Sequence, residues 1–252
     1  MIIHVTSYDP WKDVRAEVCF GNVEPSVQLQ AITSHAVSMY GALPKSVAFG
    51  LTEALPALSA GISYDKIANN KPLMDLHKLN EKLIRLNHLT PLESIQFNFL
   101  VSGISKACGA QLSRHRIGQG HVSLSRRYTQ QKPEFVYPML DYVTDPEQAQ
   151  AIYGVFSGGI QDSYERYLQL RRPAIGVQKA DARYLIPVAT STSRHWWINA
   201  RALRDFFRLR LQPTAESEIR RLAGMVYNAV IAITPSLFKD IGLTDEYNDK
   251  VA

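Results

Sequence analysis

Between Gln111 and Tyr128 the chain crowds four arginines (Arg114, Arg116, Arg126, Arg127), two histidines (His115, His121) and the hydroxyls of Ser113, Ser123 and Ser125. Those side chains are suited to anions. A guanidinium fork matches the oxygens of a phosphate or carboxylate, and hydroxyls fill the directions between forks. Gly118 and Gly120 permit tight backbone turns, so Ser125-Arg126-Arg127 is expected to fold back beside Arg114-His115-Arg116 and hold two anionic groups at once. A solvated basic face is the commoner fate of clustered arginines, but the spacing around two glycines favours a site.

A second basic group follows in Arg201, Arg204, Arg208 and Arg210. On one helix Arg208 and Arg210 lie about 200° apart, so Arg201, Arg208 and Arg210 cannot all face one ligand and one of these three is expected to be structural. Leu203, Phe206 and Phe207 supply that helix's apolar stripe and are assigned to the core. Taken alone, His88 reads as a helix-end histidine and Glu93 as solvent-facing. Trp196-Trp197 offers either a stacking platform or alternate-face packing. No GxGxxG or GxxxxGK[ST] loop occurs, nor a recognisable Ser-His-Asp or paired-carboxylate pattern.

At 252 residues and 46% hydrophobic content, the chain is read as one domain spanning 1–252. The net charge of +5 is concentrated in 114–127, 171–183 and 194–221 rather than in tails. Cys19 and Cys108 are the only cysteines, and their spacing suggests neither a disulfide framework nor a metal site. A cytoplasmic protein with no membrane span is expected. A nucleic-acid-binding module would also explain the charge. It leaves the ordered blocks described below unexplained, so no nucleic-acid partner is expected.

Periodicity predicts the elements that carry these residues. Residues 1–25 read as one or two short strands and Val27–Tyr40 as a helix stopping at Gly41 and Pro44. Leu73, Leu76, Leu79, Leu83 and Leu86 predict a core-facing helix over Pro72–Leu86. Ile95, Phe97, Phe99 and Val101 alternate as a half-buried strand that Gly103 breaks, followed by a helix over Ile104–Arg114 that delivers the arginine cluster. Phe135–Pro138 is a strand candidate. Asp145-Pro146-Glu147 starts a long helix to about Arg171, with Gly158-Gly159 weakening its continuity. A short helix over Gln178–Ile186, a strand over Val188–Trp197, a helix from Asn199 to about Leu211 and a last helix to about Ile233 complete an α+β pattern.

Arg114-His115-Arg116 followed by Ser125-Arg126-Arg127-Tyr128 resembles the hallmark of the flavin-dependent thymidylate synthases. Further blocks agree in order: His88 with Thr90-Pro91 and Glu93, Gln111, Ala182-Arg183 before Ile186-Pro187, and Asn199-Ala200-Arg201-Ala202-Leu203 with Phe206, Leu209-Arg210, Ala215 and Glu218-Ile219-Arg220. The resemblance spans about 85–240. It implies a mainly antiparallel sheet packed by long helices, with active sites at the subunit interfaces of a homotetramer. It also implies methylation of dUMP to dTMP with 5,10-methylenetetrahydrofolate, FAD and NADPH. The matching positions for dUMP are Gln111, Arg114, Ser123, Leu124, Ser125, Arg126, Arg127, Arg183 and Arg210. For FAD they are Thr90, Arg114, His115, Arg116, Asn199, Arg201 and Asp205. Arg210, His88 and Ser125 take the catalytic roles, and no metal is implied. The chain departs from the family pattern in a longer spacer before Ser125, and at Ser94, Val122, Ser123, Asp205 and Glu216. A remodelled pocket of that kind leaves open a different pyrimidine or a hydroxymethyl product.

Overall fold

A computed structural model describes residues 12–32, 53, 55–63 and 73–242. Their elements are α1 (Lys12–Val18), β1 (Ser26–Ile32), α2 (Leu55–Ser63), α3 (Leu73–Arg85), a 3-10 turn (Thr90–Ser94), β2 (Gln96–Ser105) and α4 (Lys106–Leu112). There follow β3 (Gln119–Ser123), α5 (Pro146–Leu170), α6 (Lys179–Ala182), a 3-10 turn (Arg183–Leu185), β4 (Ser191–Asn199), α7 (Ala200–Arg210), α8 (Ser217–Ile231) and α9 (Pro235–Phe238).

The strands make a four-stranded antiparallel sheet in the order β1-β2-β4-β3. Phe97, Phe99 and Val101 of β2, with Val27 of β1 and Trp196 and Ile198 of β4, are fully buried. They face Leu203, Phe206 and Phe207 of α7, Val226 and Val230 of α8, and Phe238 of α9 within one apolar cluster. Each such side chain contributes roughly 1.5–3 kcal/mol on leaving water, so this face of the sheet fixes the register of everything attached to it. A second cluster joins Cys19, Phe135, Tyr137 and Leu140 to Ala149, Tyr153 and Ile160 of α5. Among the described residues no helix is long and apolar enough to cross a membrane.

Charged side chains tie the layers. Arg204, 0% exposed, makes a bidentate pair with Asp240, with Nη1 at 2.7 Å from Oδ1, and also donates to the Leu237 carbonyl. The buried arginine of this helix is thus Arg204, not one of Arg201, Arg208 and Arg210, among which it was expected. Glu24 accepts from Arg15 at 3.1 Å and is ion-paired with Arg221 at 3.0 Å.

Several sequence expectations are corrected. Val27 begins a strand, not a helix, because Val27 and Leu29 share one face and bury it beside Val101 and Phe99 of β2; the remainder of that expected helix lies outside the described residues. Within 1–25, the described part contains the helix α1. Gly103 does not end β2. It sits at the irregularity between Val101 and Ile104 with φ +71°, where a Cβ would lie 2.1 Å from the Glu24 carbonyl oxygen. The helix expected over Ile104–Arg114 is shorter, since Ile104 and Ser105 stay in β2. Phe135 makes only isolated bridges, to Asn22 and Thr190. Gly158-Gly159 leaves α5 continuous over 25 residues, capped by Asp145 through Glu147 N at 3.3 Å and Gln148 N at 3.2 Å.

Candidate active site

The arginine cluster leaves α4 through a turn in which Arg114 N donates to Gln111 O at 3.0 Å and His115 N to Leu112 O at 3.3 Å. Gly118 then adopts φ +68°, and its carbonyl accepts from Asn199 N at 2.8 Å. Asn199 is also the N-cap of α7, its Oδ1 accepting from Ala202 N at 2.8 Å. A Cβ on Gly118 would lie 2.5 Å from Asn199 Nδ2 and 2.9 Å from Ala202 Cβ, so glycine lets the loop seat on the helix start. The result is a cleft of about 380 Å³ lined by Glu93, His115, Arg116, Gly118, Asn199, Arg201 and Asp205 among others. Glu93 is exposed, as expected, and at the rim of this cleft accepts from Arg201 Nη1 at 2.6 Å.

Thr90 lies beside this cleft rather than within it. With His88, Pro91, Ser94, Ser59 and Leu83 it lines an adjoining cleft of about 350 Å³, and the 3-10 turn Thr90–Ser94 contributes to both.

Arg210 Nε–H donates to His115 Nε2 at 3.0 Å. That geometry needs the lone pair of a neutral imidazole, which places the ring proton on Nδ1. The ring stands edge-on to Phe206 at 5.1 Å. Burial, then the Arg210 charge, push the His115 pKa below its ordinary value, against the opposing pull of Asp205. The η nitrogens of Arg210 have no hydrogen-bond partner among the described residues and remain available to a ligand.

Gln111 Nε2 donates to the carboxylate of Glu216, one of the departures from the family pattern. Glu218, two residues on, is a buried carboxyl that accepts from Ser105 N at 2.7 Å and Ser105 Oγ at 2.6 Å. Burial raises its pKa and the two Ser105 bonds oppose that rise. Trp196 belongs to the core, whereas Trp197 covers Gly120, whose Cβ would lie 2.5 Å from the indole.

The two halves of the arginine cluster do not fold side by side. Gln119–Ser123 forms β3 and pairs along β4 from Ile198 to Arg194. The five residues of β3, about 16 Å long at the strand rise, run between the two groups, so Ser125–Arg127 lies toward the opposite end of β4. There Arg126 is buried with Nη2 on the Ser191 carbonyl at 2.6 Å, while Arg127 is exposed over the Tyr128 ring at 5.7 Å. Ser123 and Leu124 are exposed, Leu124 N donating to Ser193 O at 3.0 Å. The Ser125 carbonyl accepts from Thr129 Oγ1 at 2.9 Å. Arg183 opens the second 3-10 turn, and Lys179 Nζ on the Tyr128 carbonyl at 3.2 Å ties that segment to the 125–128 turn. Among the described residues Arg114, Arg116, Arg127 and Arg183 form no ion pair.

Arg194 was not singled out from the sequence. It is buried, donates from Nη1 to Ser113 Oγ at 2.7 Å, and fits because Gly109 leaves room, a Cβ there lying 2.6 Å from its Nη2. The available signal was an arginine inside an otherwise buried strand opposite a helix of small residues. Both described cysteines are buried, and burial pushes the Cys19 thiol up to about 11 and Cys108 well above its ordinary value, so neither offers a ready thiolate.

Residues 50–236 match the thymidylate synthase complementing protein family. A flavin-dependent thymidylate synthase of Geobacter sulfurreducens is 30% identical over 195 residues, covering 75% of this chain and 82% of that protein. One from Clostridium tetani is 29% identical over 205 residues, again covering 75% and 82%. The crystal structure of the UMP/dUMP methylase PolB from Streptomyces cacaoi, bound with 5-Br dUMP, shares the fold with a TM-score of 0.69 at 20% identity, over 86% of this chain and 93% of that one. With most of its length matched, the site blocks included, the chain belongs to the thymidylate synthase complementing protein family.

Proposed function

We propose that the protein is a flavin-dependent thymidylate synthase, a methyltransferase converting dUMP to dTMP with the carbon of 5,10-methylenetetrahydrofolate and reducing equivalents from NADPH. The observation that carries this is Arg210, held by His115 through Nε with its η nitrogens unengaged among the described residues. Donors fixed in that way can stabilise charge developing on a uracil carbonyl as C5 becomes nucleophilic, an effect of about 3–4 kcal/mol for one well-placed donor. No thiolate is required for such activation, in keeping with the buried cysteines.

FAD fits the larger cleft on the character of its lining. Arg116 forms no ion pair among the described residues, the close Gly118–Asn199 joint holds the loop against the start of α7, and Arg201 adds a cation there. Arg114, His115, Arg116, Asn199, Arg201 and Asp205 would hold it, with Thr90 from the adjoining cleft; when bound it supplies hydride-transfer chemistry. Gln111 and Arg114 would meet the nucleotide at the end of α4, and His88 orients groups in the adjoining cleft. Ser123, Leu124, Ser125, Arg126, Arg127 and Arg183 belong to the phosphate side.

The separation of the Arg114–Arg116 and Ser125–Arg127 groups along β3 supports a site completed by a second subunit, as a homotetramer would provide. Two copies then bring the base-reading and phosphate-reading groups of different chains together. We place the enzyme in the cytoplasm. A hydroxymethyl product or another pyrimidine nucleotide is the competing reading, and the Glu216–Gln111 bond is the observation that favours it.

Arg210→Ala tests the assignment. It should leave flavin content and oligomer size unchanged while turnover of dUMP falls at least a hundredfold, as expected for loss of about 3–4 kcal/mol. Retained turnover would remove Arg210 from the reaction.

A further inference from the structure

Three cations converge where β4 begins. Lys106 N donates to Thr190 O at 3.0 Å, which seats the start of α4 against residues 188–191, and Arg126 Nη2 is on Ser191 O at 2.6 Å. Arg183 lies four residues beyond Lys179, whose Nζ holds the Tyr128 carbonyl at 3.2 Å, and is near enough for its charge to act on Lys106. Arg126 is only 8% exposed, yet its buried Nε has no acceptor among the described residues. Glu134 faces Arg126 but is also within 3.8 Å of Lys132, and neither Lys106 nor Arg183 has an acidic partner among the described residues. Burial lowers the Lys106 pKa, and the charges of Arg126 and Arg183 lower it further, so the three side chains feel one another. Crowded, partly desolvated cations repel unless an anion neutralises them.

We propose that Lys106 is a phosphate-binding residue of this enzyme, acting with Arg126 and Arg183 on the dianionic 5′-phosphate of the nucleotide. The inference rests on the nucleotide reading above and adds a ligand that the family motifs do not contain. Lysine acts there as a mobile point charge beside two planar forks. Arg126, held from one Nη by Ser191, turns its remaining donors toward the same anion.

The test compares dUMP with deoxyuridine, which lacks the phosphate, in the intact protein and in Lys106→Met, Lys106→Arg and Arg183→Ala. Lys106→Met should weaken dUMP roughly ten- to a hundredfold, the loss expected for one charge-assisted bond, while deoxyuridine changes less than about twofold. Lys106→Arg should recover most of the affinity. On the unaltered protein, dUMP should shield Lys106 from an amine-acylating reagent, read by peptide mass, and deoxyuridine should not. Unchanged dUMP affinity in Lys106→Met while Arg183→Ala weakens it would overturn the role of Lys106 alone. Unchanged affinity in both variants would overturn the phosphate assignment and the nucleotide reading with it. If Lys106→Met does not fold, acylation of Lys106 at the same rate with and without dUMP is the overturning result.

Discussion

Gly118→Ala perturbs the joint on which the proposed flavin cleft depends. At φ +68° an alanine pays the left-handed penalty of about 1–2 kcal/mol. Its Cβ, 2.5 Å from Asn199 Nδ2 and 2.9 Å from Ala202 Cβ, must also push Asn199 away from the start of α7. Loss of that N-cap adds about 0.5–2 kcal/mol. The sum, roughly 1.5–4 kcal/mol, corresponds to a melting temperature lowered by roughly 3–16 °C for a chain of this size. Gly176→Ala is the internal control. Gly176 has φ +70° but its nearest neighbour to an added Cβ is the Pro173 oxygen at 3.7 Å, so only the backbone penalty applies. Thermal melts of both variants, with flavin content measured after gel filtration, separate the two contributions. Gly118→Ala should melt lower than Gly176→Ala and lose flavin; equal melting points with flavin retained in both would refute the account of the Gly118–Asn199 joint.

Other consequences follow from the same contacts. Protonated His115 cannot accept from Arg210, so kcat/KM should fall on the acid side, with its inflection below the ordinary histidine value of 6.5 because burial and Arg210 depress the pKa. By linkage the native state disfavours this proton, so the His115 contribution to stability is present above pH 6.5 and declines as the pH falls toward the depressed value. His115→Gln, which keeps an acceptor, should remove the inflection; an unchanged pH profile would contradict the neutral-acceptor role. Arg204→Ala should destabilise by roughly 1–3 kcal/mol, because it leaves the buried Leu237 carbonyl without its donor, while the half-exposed Asp240 can turn to water. Chemical denaturation measures it, and a loss below about 1 kcal/mol would contradict a structural role.

Local signals made much of the fold legible. Asp145-Pro146 marked the start of α5, the leucine spacing marked α3, and the strict alternation from Ile95 to Val101 marked β2. β3 could not be read, because Gln119-Gly120-His121-Val122-Ser123 has no apolar alternation. It is a strand because β4 has an open edge and Gly120 accepts the Trp197 ring. Missing β3 led directly to the expectation that the two arginine groups lie side by side. At the site, the motif spacing brought out the residues that line the larger cleft, since Asn199 caps a helix and Gly118 seats against it within one local unit. Arg194 stayed hidden because its value depends on Ser113 and Gly109, which are far away in sequence. Helical angles pointed to a structural arginine among Arg201, Arg208 and Arg210, whereas the buried one is Arg204, because its partner Asp240, just beyond α9, is remote in sequence.

The central claim is tested most directly by supplying the purified protein, anaerobically, with dUMP, 5,10-methylenetetrahydrofolate, NADPH and FAD, and determining the mass of the nucleotide product. The expected result is bound flavin and conversion of dUMP to a nucleotide carrying one additional methyl group. A flavin-loaded protein that leaves dUMP unchanged, or that adds a different mass, would contradict it.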